Sequence, residues 1–307
     1  MLRNSDRNEL VMLVGIPGSG KSTFSREYEG RGYRIHSSDL IRRELYGVEE
    51  IQGKSSEVFG LLEQRVRKDL AAGRSCVIDA TNLSRKRRMA MIRSLAKHAD
   101  RKTCILVLAT PAVCMERNKA RSRTVPPEAI YRMLCSFETP YYYEGWDTIK
   151  VSFGGEPYVF PREQAADFSQ DNPHHTLTLG EHMDAARDYC VEHGFSGAVC
   201  EAAWYHDIGK LYTKRFKNSR GEPTETAHFY GHENYSAYMY LCEKAGGLSQ
   251  DGSLEDTLYI ANLINWHMKP LNSWQHSQSR EEKDRKLVGE AMYGDIMRLN
   301  QADRYAH

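Results

Sequence analysis

Three groups of residues in this sequence have the types and spacing for chemistry. The first is Gly15-Ile16-Pro17-Gly18-Ser19-Gly20-Lys21-Ser22-Thr23, which follows the pattern G-x-x-x-x-G-K-[ST]. Glycines at these positions let backbone N–H groups turn inward around phosphate oxygens, and the helix that follows adds its positive end. Lys21 can reach the β- and γ-phosphates, and the Ser22 hydroxyl can hold Mg²⁺. Gly15, Gly18, Ser19, Gly20, Lys21, Ser22 and Thr23 are therefore candidate nucleotide contacts. The motif follows an apolar run, Leu10–Val14, and precedes a helical pattern, as the mechanism requires.

The second group follows further apolar runs. Asp39, in Ser37-Ser38-Asp39, could accept the proton of an attacking hydroxyl, and Arg42 one turn on could hold an acceptor phosphate. Asp39 could equally cap a helix over Leu40–Leu45. Asp79, Thr81 and Asn82 follow the run Val77-Ile78 and could position acceptor phosphate or Mg²⁺-bound water; Asn82 could instead cap a helix starting at Ser84. Arg117, Arg121 and Arg123 precede Pro126, where a helix must break. Such a segment can close over ATP and neutralise the transferring phosphoryl group, unless its arginines are merely solvated.

The third group centres on His206-Asp207, followed by Lys210. At a helix end an adjacent His-Asp pair can face one metal cluster, and the two oxygens of Asp207 could bridge two ions. Such a pair of ions would activate water and stabilise entering and leaving oxygens. His182, His232, His267 and Asp303 are further candidate ligands, whereas His193, His276 and His307 read as ordinary surface or core residues. His174, His175 and His228 could touch phosphate or stabilise a ligand.

These groups need different scaffolds. Candidate strands at Leu10–Val14, Tyr33–His36, Cys76–Ile78 and Cys104–Ala109 alternate with helical patterns at Ser55–Ala72, Ser84–Lys97 and Ala112–Ala120. That alternation predicts an α/β domain, a parallel sheet with helices on both faces. Beyond it, Glu181–Glu192, Ser196–Asp207, Tyr235–Lys244 and Leu254–Trp266 predict an all-α second domain. Turn formers between Phe153 and Pro173 place the boundary near residue 160, giving domains 1–160 and 161–307. With Asp303 four residues from the last one, the helix carrying it is expected to be short.

Composition agrees with two domains. The 307 residues exceed the roughly 100–200 of one domain. Residues 1–150 hold 27 Lys and Arg against 18 Asp and Glu, while residues 151–307 hold 15 against 23. Ten of the twelve histidines lie in the acidic second half. A basic half suits a polyanion and an acidic, histidine-rich half suits divalent metals. Arg85-Lys86-Arg87-Arg88, with Arg88 as a candidate substrate contact, is compatible with a phosphate backbone track; no aromatic stacking platform is evident. The apolar runs are too short to span a bilayer, the first residues are polar, and the seven scattered cysteines form no C-x-x-C pair. A reducing cytoplasm without a membrane partner is the expectation.

On these motifs, residues 9–150 resemble the P-loop phosphotransferases of the polynucleotide 5′-kinase type. The resemblance covers the phosphate loop, Ser38-Asp39-x-x-Arg42, Ile78-Asp79-Ala80-Thr81-Asn82, the lid Arg117–Arg123, and Phe137–Pro140 through Glu144–Asp147. It implies ATP with Mg²⁺, Asp39 as general base on a 5′-hydroxyl, Arg42 on the neighbouring phosphate, and Arg121 or Arg123 nearest the transition state. Residues 174–307 resemble the HD phosphohydrolase superfamily, through the order His182, His206-Asp207, His232, His267, Asp303. That resemblance implies one metal on His182, His206, Asp207 and Asp303. Asp207 would bridge to a second on His232 and His267, with Lys210 on substrate phosphate. One or two ions of Mn, Fe, Co, Ni or Zn suit these ligands. Together the resemblances imply a bifunctional end-healing enzyme acting on single-stranded nucleic-acid ends, RNA foremost. It would phosphorylate 5′-hydroxyls and remove 3′-phosphates or 2′,3′-cyclic phosphates, and a separate ligase would be a natural partner. A small-molecule or nucleotide kinase fused to a nucleotide phosphohydrolase, or an ATP-gated HD regulator, are the other readings.

Overall fold

The structure is a computed structural model describing residues 8–47, 55–120, 124–173, 176–247 and 253–306. Contacts divide the chain into two units, Met1–Pro126 with Pro140–Gly155, and Pro127–Thr139 with Glu156–His307. Pro127–Thr139 thus falls with the second unit, although the expected 1–160 segment contains it. Arg121, Arg123, His174, His175 and His307 lie outside the described residues.

The first unit contains β1 (Glu9–Val14), α1 (Lys21–Gly30), β2 (Arg34–Ser37), α2 (Ser38–Tyr46), α3 (Ser55–Ala71), β3 (Cys76–Asp79), α4 (Arg85–Leu95), β4 (Arg101–Leu108), α5 (Pro111–Lys119) and β5 (Thr148–Phe153). The strands form one parallel sheet in the order β2-β3-β1-β4-β5. Apolar residues on both faces of β1 and β4 are buried, as expected when helices cover both sides of a parallel sheet. Val11, Leu13, Val77, Ile105, Val107 and Tyr28 form one such cluster, flanked by Phe24, Tyr33 and Ile35. Because the strands run parallel, the segments after Val14, Ser37, Asp79 and Leu108 emerge on one rim, where ligands gather in open α/β sheets.

The second unit contains α6 (Pro127–Leu134), α7 (Glu163–Ala166), α8 (Leu179–Glu192), α9 (Gly197–Tyr205), α10 (Lys210–Thr213), β6 (Arg215–Lys217), β7 (Pro223–His228), α11 (His232–Gly247), α12 (Leu254–Trp266), α13 (Lys269–Asn272), α14 (Gln278–Val288) and α15 (Glu290–Tyr305). It is helical but not all-α: β6 and β7 form an antiparallel hairpin. The final helix is not short either, since α15 has 16 residues with Asp303 in its last turn. Helices α8, α9 and α15 pack together, as do α11 and α12. Thr178 and Glu181 form a capping box that starts α8, satisfying N–H groups the first turn would leave open. The 127–139 segment is tied in by side-chain amides. Asn265 donates to the Phe137 carbonyl (3.0 Å) and accepts from the Thr139 N–H (2.8 Å), while Asn234 donates to the Cys135 carbonyl (2.8 Å). No helix among the described residues is long and apolar enough to cross a membrane.

Candidate nucleotide and metal sites

The phosphate loop lies between β1 and α1. Gly18 and Gly20 adopt φ of +86° and +111°, a region that costs any other residue. A Cβ on Gly15 would collide with the Val107 carbonyl oxygen, and one on Gly18 with that of Cys114. Helix α1 has no side-chain N-cap and no acidic residue in its first turn, so its positive end is free for an anion. Lys21 Nζ donates to the Ile16 carbonyl at 2.9 Å, and the Ser19 hydroxyl oxygen is buried without a hydrogen-bond partner. A cavity of about 380 Å³ adjoins the loop, lined by Gly18, Ser19, Gly20, Ser22, Thr23 and Arg117 among others. Arg117 Nη1 reaches the Gly18 carbonyl at 3.5 Å.

The neighbouring loop on the same rim is braced against the phosphate loop. The Gly15 N–H donates to the Thr81 carbonyl (3.0 Å), and Asn82 Nδ2 donates to the Leu13 carbonyl (2.7 Å). Asn82 itself sits at φ +47° and caps no helix; Ser84 holds the N-cap position of α4. Asp79 pairs in register with Ser37, so the two strand ends lie side by side. Ser37, not Asp39, caps α2, accepting from the Asp39 and Leu40 N–H groups. The half-exposed Asp39 carboxylate is paired with Arg42 at 2.9 Å.

Arg88, expected to contact substrate, instead lies inside the protein. Its side chain is fully buried, paired bidentately with the equally buried Glu144 (2.8 and 2.5 Å), and it also donates to the Asn82 and Leu83 carbonyls. It cannot touch substrate there. It fixes the Asn82 loop and is a positioning residue.

The second unit brings together all six sequence-predicted ligands, His182, His206, Asp207, His232, His267 and Asp303, each nine-tenths buried or more. His206 follows the last turn of α9, His267 that of α12, and His232 opens α11. Two ligand groups emerge, His182–His206–Asp207–Asp303 and Asp207–His232–His267, with Asp207 common to both. Asp207 Oδ2 lies 3.2 Å from His182 Nε2 and 3.4 Å from His206 Nε2, while Oδ1 lies 3.0 Å from His232 Nε2 and 3.7 Å from His267 Nε2.

The imidazole tautomers follow from the backbone. Each Nδ1 meets a carbonyl oxygen, which can only accept: Ala306 for His182, Ala203 for His206, Phe229 for His232 and Ile264 for His267, at 2.7–2.8 Å. Nδ1 therefore carries the proton and the neutral Nε2 lone pair points inward. Those lone pairs oppose one another, at 3.2 Å between His182 and His206 and 3.3 Å between His232 and His267. Asp207 Oδ1 is buried and receives no hydrogen bond of acceptable geometry. Lone pairs and carboxylates facing each other in a dry interior need cations between them. The donor set fits one or two divalent metals.

Protons substitute for such cations. Burial alone would push the His182 imidazole down, but its hydrogen bonds to Asp207 and Asp303 outweigh this and raise it to about 9. His232 is also raised, burial being overcome by the Asp207 charge. Burial, reinforced by His206 and His232, drives His267 down to about 3. Burial opposes ionisation of both carboxylates, yet Lys210 and the histidines hold Asp207, and hydrogen bonds from His182 and His206 hold Asp303, well below the ordinary carboxylate range. Lys210 Nζ lies 2.6 Å from Asp207 Oδ2 and donates to Gln170 Oε1 at 2.8 Å. His193 stacks on Tyr189, and His276 is exposed; neither joins the cluster.

Residues 10–140 match the family model of an AAA domain. Over 181 residues the chain is 28% identical to an L-seryl-tRNA(Sec) kinase of Methanococcus maripaludis, covering 56% of this chain and 69% of that protein. Similar solved structures include a chain of the Pnkp1/Rnl/Hen1 RNA repair complex, at 22% identity and TM-score 0.39, covering 43% of this chain and 44% of that one. Another is a gluconokinase from Sinorhizobium meliloti, at 20% identity and TM-score 0.37, covering 50% and 85%. This chain thus spans less than half of the repair-complex chain. The N-terminal half carries a P-loop domain of the kinase type, which implies ATP with Mg²⁺.

Proposed function

We propose that the chain heals nucleic-acid ends, RNA ends foremost, with a 5′-hydroxyl kinase in its first half and an HD-type phosphohydrolase in its second. In the first half, Asp39 takes the proton of the acceptor hydroxyl as that oxygen bonds to the γ-phosphorus and the bond to ADP breaks. Arg42 stands beside Asp39 to grip a neighbouring phosphate, and Lys21, the loop amides and Arg117 hold the nucleotide. Arg121 and Arg123 complete the lid in this reading. Asp79, Thr81 and Asn82 shape the acceptor rim.

In the second half, His182, His206, Asp207 and Asp303 would hold one divalent ion, and Asp207, His232 and His267 a second. Such ions supply Lewis acidity toward water and a phosphate ester. The chain's own part is to keep each Nε2 deprotonated toward the centre through the carbonyl bonds at Nδ1. The Lys210 ammonium, held beside Asp207, presents positive charge to a 3′-phosphate or 2′,3′-cyclic phosphate. The healed ends are those a separate ligase joins.

The observation that carries this reading is the division of the Asp207 oxygens between two histidine pairs, in a chain that also carries a kinase-type phosphate loop. The seryl-tRNA kinase relative is named for an acceptor linked to RNA, which supports an RNA-borne hydroxyl here. The test is transfer of radiolabelled γ-phosphate from ATP to a 5′-hydroxyl oligoribonucleotide, gluconate and shikimate serving as competing acceptors. Label on the small acids and none on the oligonucleotide would replace this reading with a small-molecule kinase.

A further inference from the structure

We infer that Tyr230, backed by His228, is a stacking platform for the terminal base of the strand whose phosphate enters the Asp207 centre. The inference rests on the hydrolase reading above and deepens it: the substrate is a base-bearing nucleic-acid end rather than a phosphate ester as such.

Tyr230 lies two residues before the ligand His232, in a turn pinned at both sides. On one side, the Phe229 carbonyl accepts from His232 Nδ1, and the buried Phe229 ring lies 5.4 Å from Lys210 Nζ, the ammonium beside Asp207. On the other, Gly231 adopts φ +76° and packs so closely on Cys135 that a Cβ would collide with its carbonyl. Between these anchors Tyr230 is 48% exposed, one of eight exposed large apolar residues among those described. Its ring is nearly parallel to that of His228, at 8° and 5.3 Å between centroids. His228 Nε2 is itself buried without a hydrogen-bond partner. A rigid aromatic ring with one face supported and half its area in solvent suits base stacking, because every base has a π-face to lay on it.

The hairpin that leads into this turn supplies charge for the strand. Lys214 is paired with Asp171 at 2.6 Å, which leaves Arg215, Lys217 and Arg220 against Glu222 and Glu225 between residues 214 and 228, within an otherwise acidic half. Arg215, Lys217 and Arg220 are exposed, and Phe216 adds a second ring that is 46% exposed. Arg215 stacks on Tyr131 at 4.2 Å, which steadies the hairpin. Cations beside aromatic rings are the surface that single-stranded nucleic acid uses. A free phosphate monoester would need neither.

The experiment compares two 3′-phosphorylated tetranucleotides that differ in one feature, a base or an abasic sugar at the 3′-terminal residue. Dephosphorylation is followed with the full chain loaded with each divalent metal in turn. The wild type should prefer the base-bearing end by about tenfold in kcat/KM. Tyr230→Ala should bring that ratio to about one, and Tyr230→Phe should keep it. Equal hydrolysis of both ends by the wild type, or undiminished preference in Tyr230→Ala, would overturn the platform and leave the hydrolase reading intact. Hydrolysis of neither end with any metal would overturn the hydrolase reading and the platform with it.

Discussion

His182 and His206 point their Nε2 atoms at each other across 3.2 Å, each ring locked by a carbonyl at its other nitrogen. In neutral tautomers this is lone pair against lone pair. The protein therefore holds a demand for positive charge at the centre of its second unit, met by metal ions or by protons.

Asp207→Ala removes the one ligand common to both groups. Bound divalent metal, measured by plasma mass spectrometry after dialysis, should fall to background from one or two ions per chain. Unchanged metal content would remove the basis for a metal centre.

Chelation should make stability depend on pH in a definite direction. His182 is raised from an ordinary value near 6.5 to about 9, so its contribution is complete below about pH 6.5 and lost as pH rises through 9. His267, lowered to about 3, has the opposite sign: its neutral burial costs stability as pH falls from 6.5 towards 3. Chelated protein should thus melt highest near pH 6.5, losing on the order of 3 kcal/mol above about pH 9 as His182 gives up its proton. Metal-loaded protein should not show the alkaline loss, because protons no longer compete for the ligands. Calorimetry across pH 5–10, with and without chelator, checks both.

Asp39→Ala should lower phosphoryl transfer by about 10²–10⁴-fold while ATP still binds, since the phosphate loop is untouched. Equilibrium binding of a fluorescent ATP analogue beside the kinase assay separates the two effects. Turnover near wild type would show that another group takes the proton.

Arg88→Ala should cost about 3–5 kcal/mol, because it leaves the buried Glu144 carboxylate without its ion pair. Denaturant unfolding measures this. Loss of nucleic-acid affinity at full stability would restore Arg88 as a substrate contact.

Sequence periodicity located most of what positions the nucleotide site. The runs at β1, β3 and β4 are continuous and apolar because both faces are covered, and a glycine loop after such a strand has few other uses. Strand β5 carries only a weak signal, because Ile149, Val151 and Phe153 alternate with polar residues over just six positions. The β6–β7 hairpin is nearly all polar and paired only with itself, so it carries no hydrophobic signal. Arg88 reads in the sequence as a phosphate contact, because its buried partner Glu144 lies 56 residues away and no local pattern points to it. The placement of Pro127–Thr139 depends on Asn265, over 120 residues away, and no local pattern reveals it. The six ligands could be ordered only through a family resemblance. Their carbonyl-locked tautomers, and the rings of Tyr230 and His228, exist only in the folded chain.

Both proposed activities are tested together on a short single-stranded RNA bearing a 5′-hydroxyl and a 2′,3′-cyclic phosphate, incubated with ATP, Mg²⁺ and one transition metal at a time. Both ends are followed for the wild type, Asp39→Ala and Asp207→Ala. The wild type should add a 5′-phosphate and clear the 3′ end, Asp39→Ala should lose the first reaction alone, and Asp207→Ala should lose the second alone. Both ends unchanged by a wild type that still binds ATP and metal would contradict both activities.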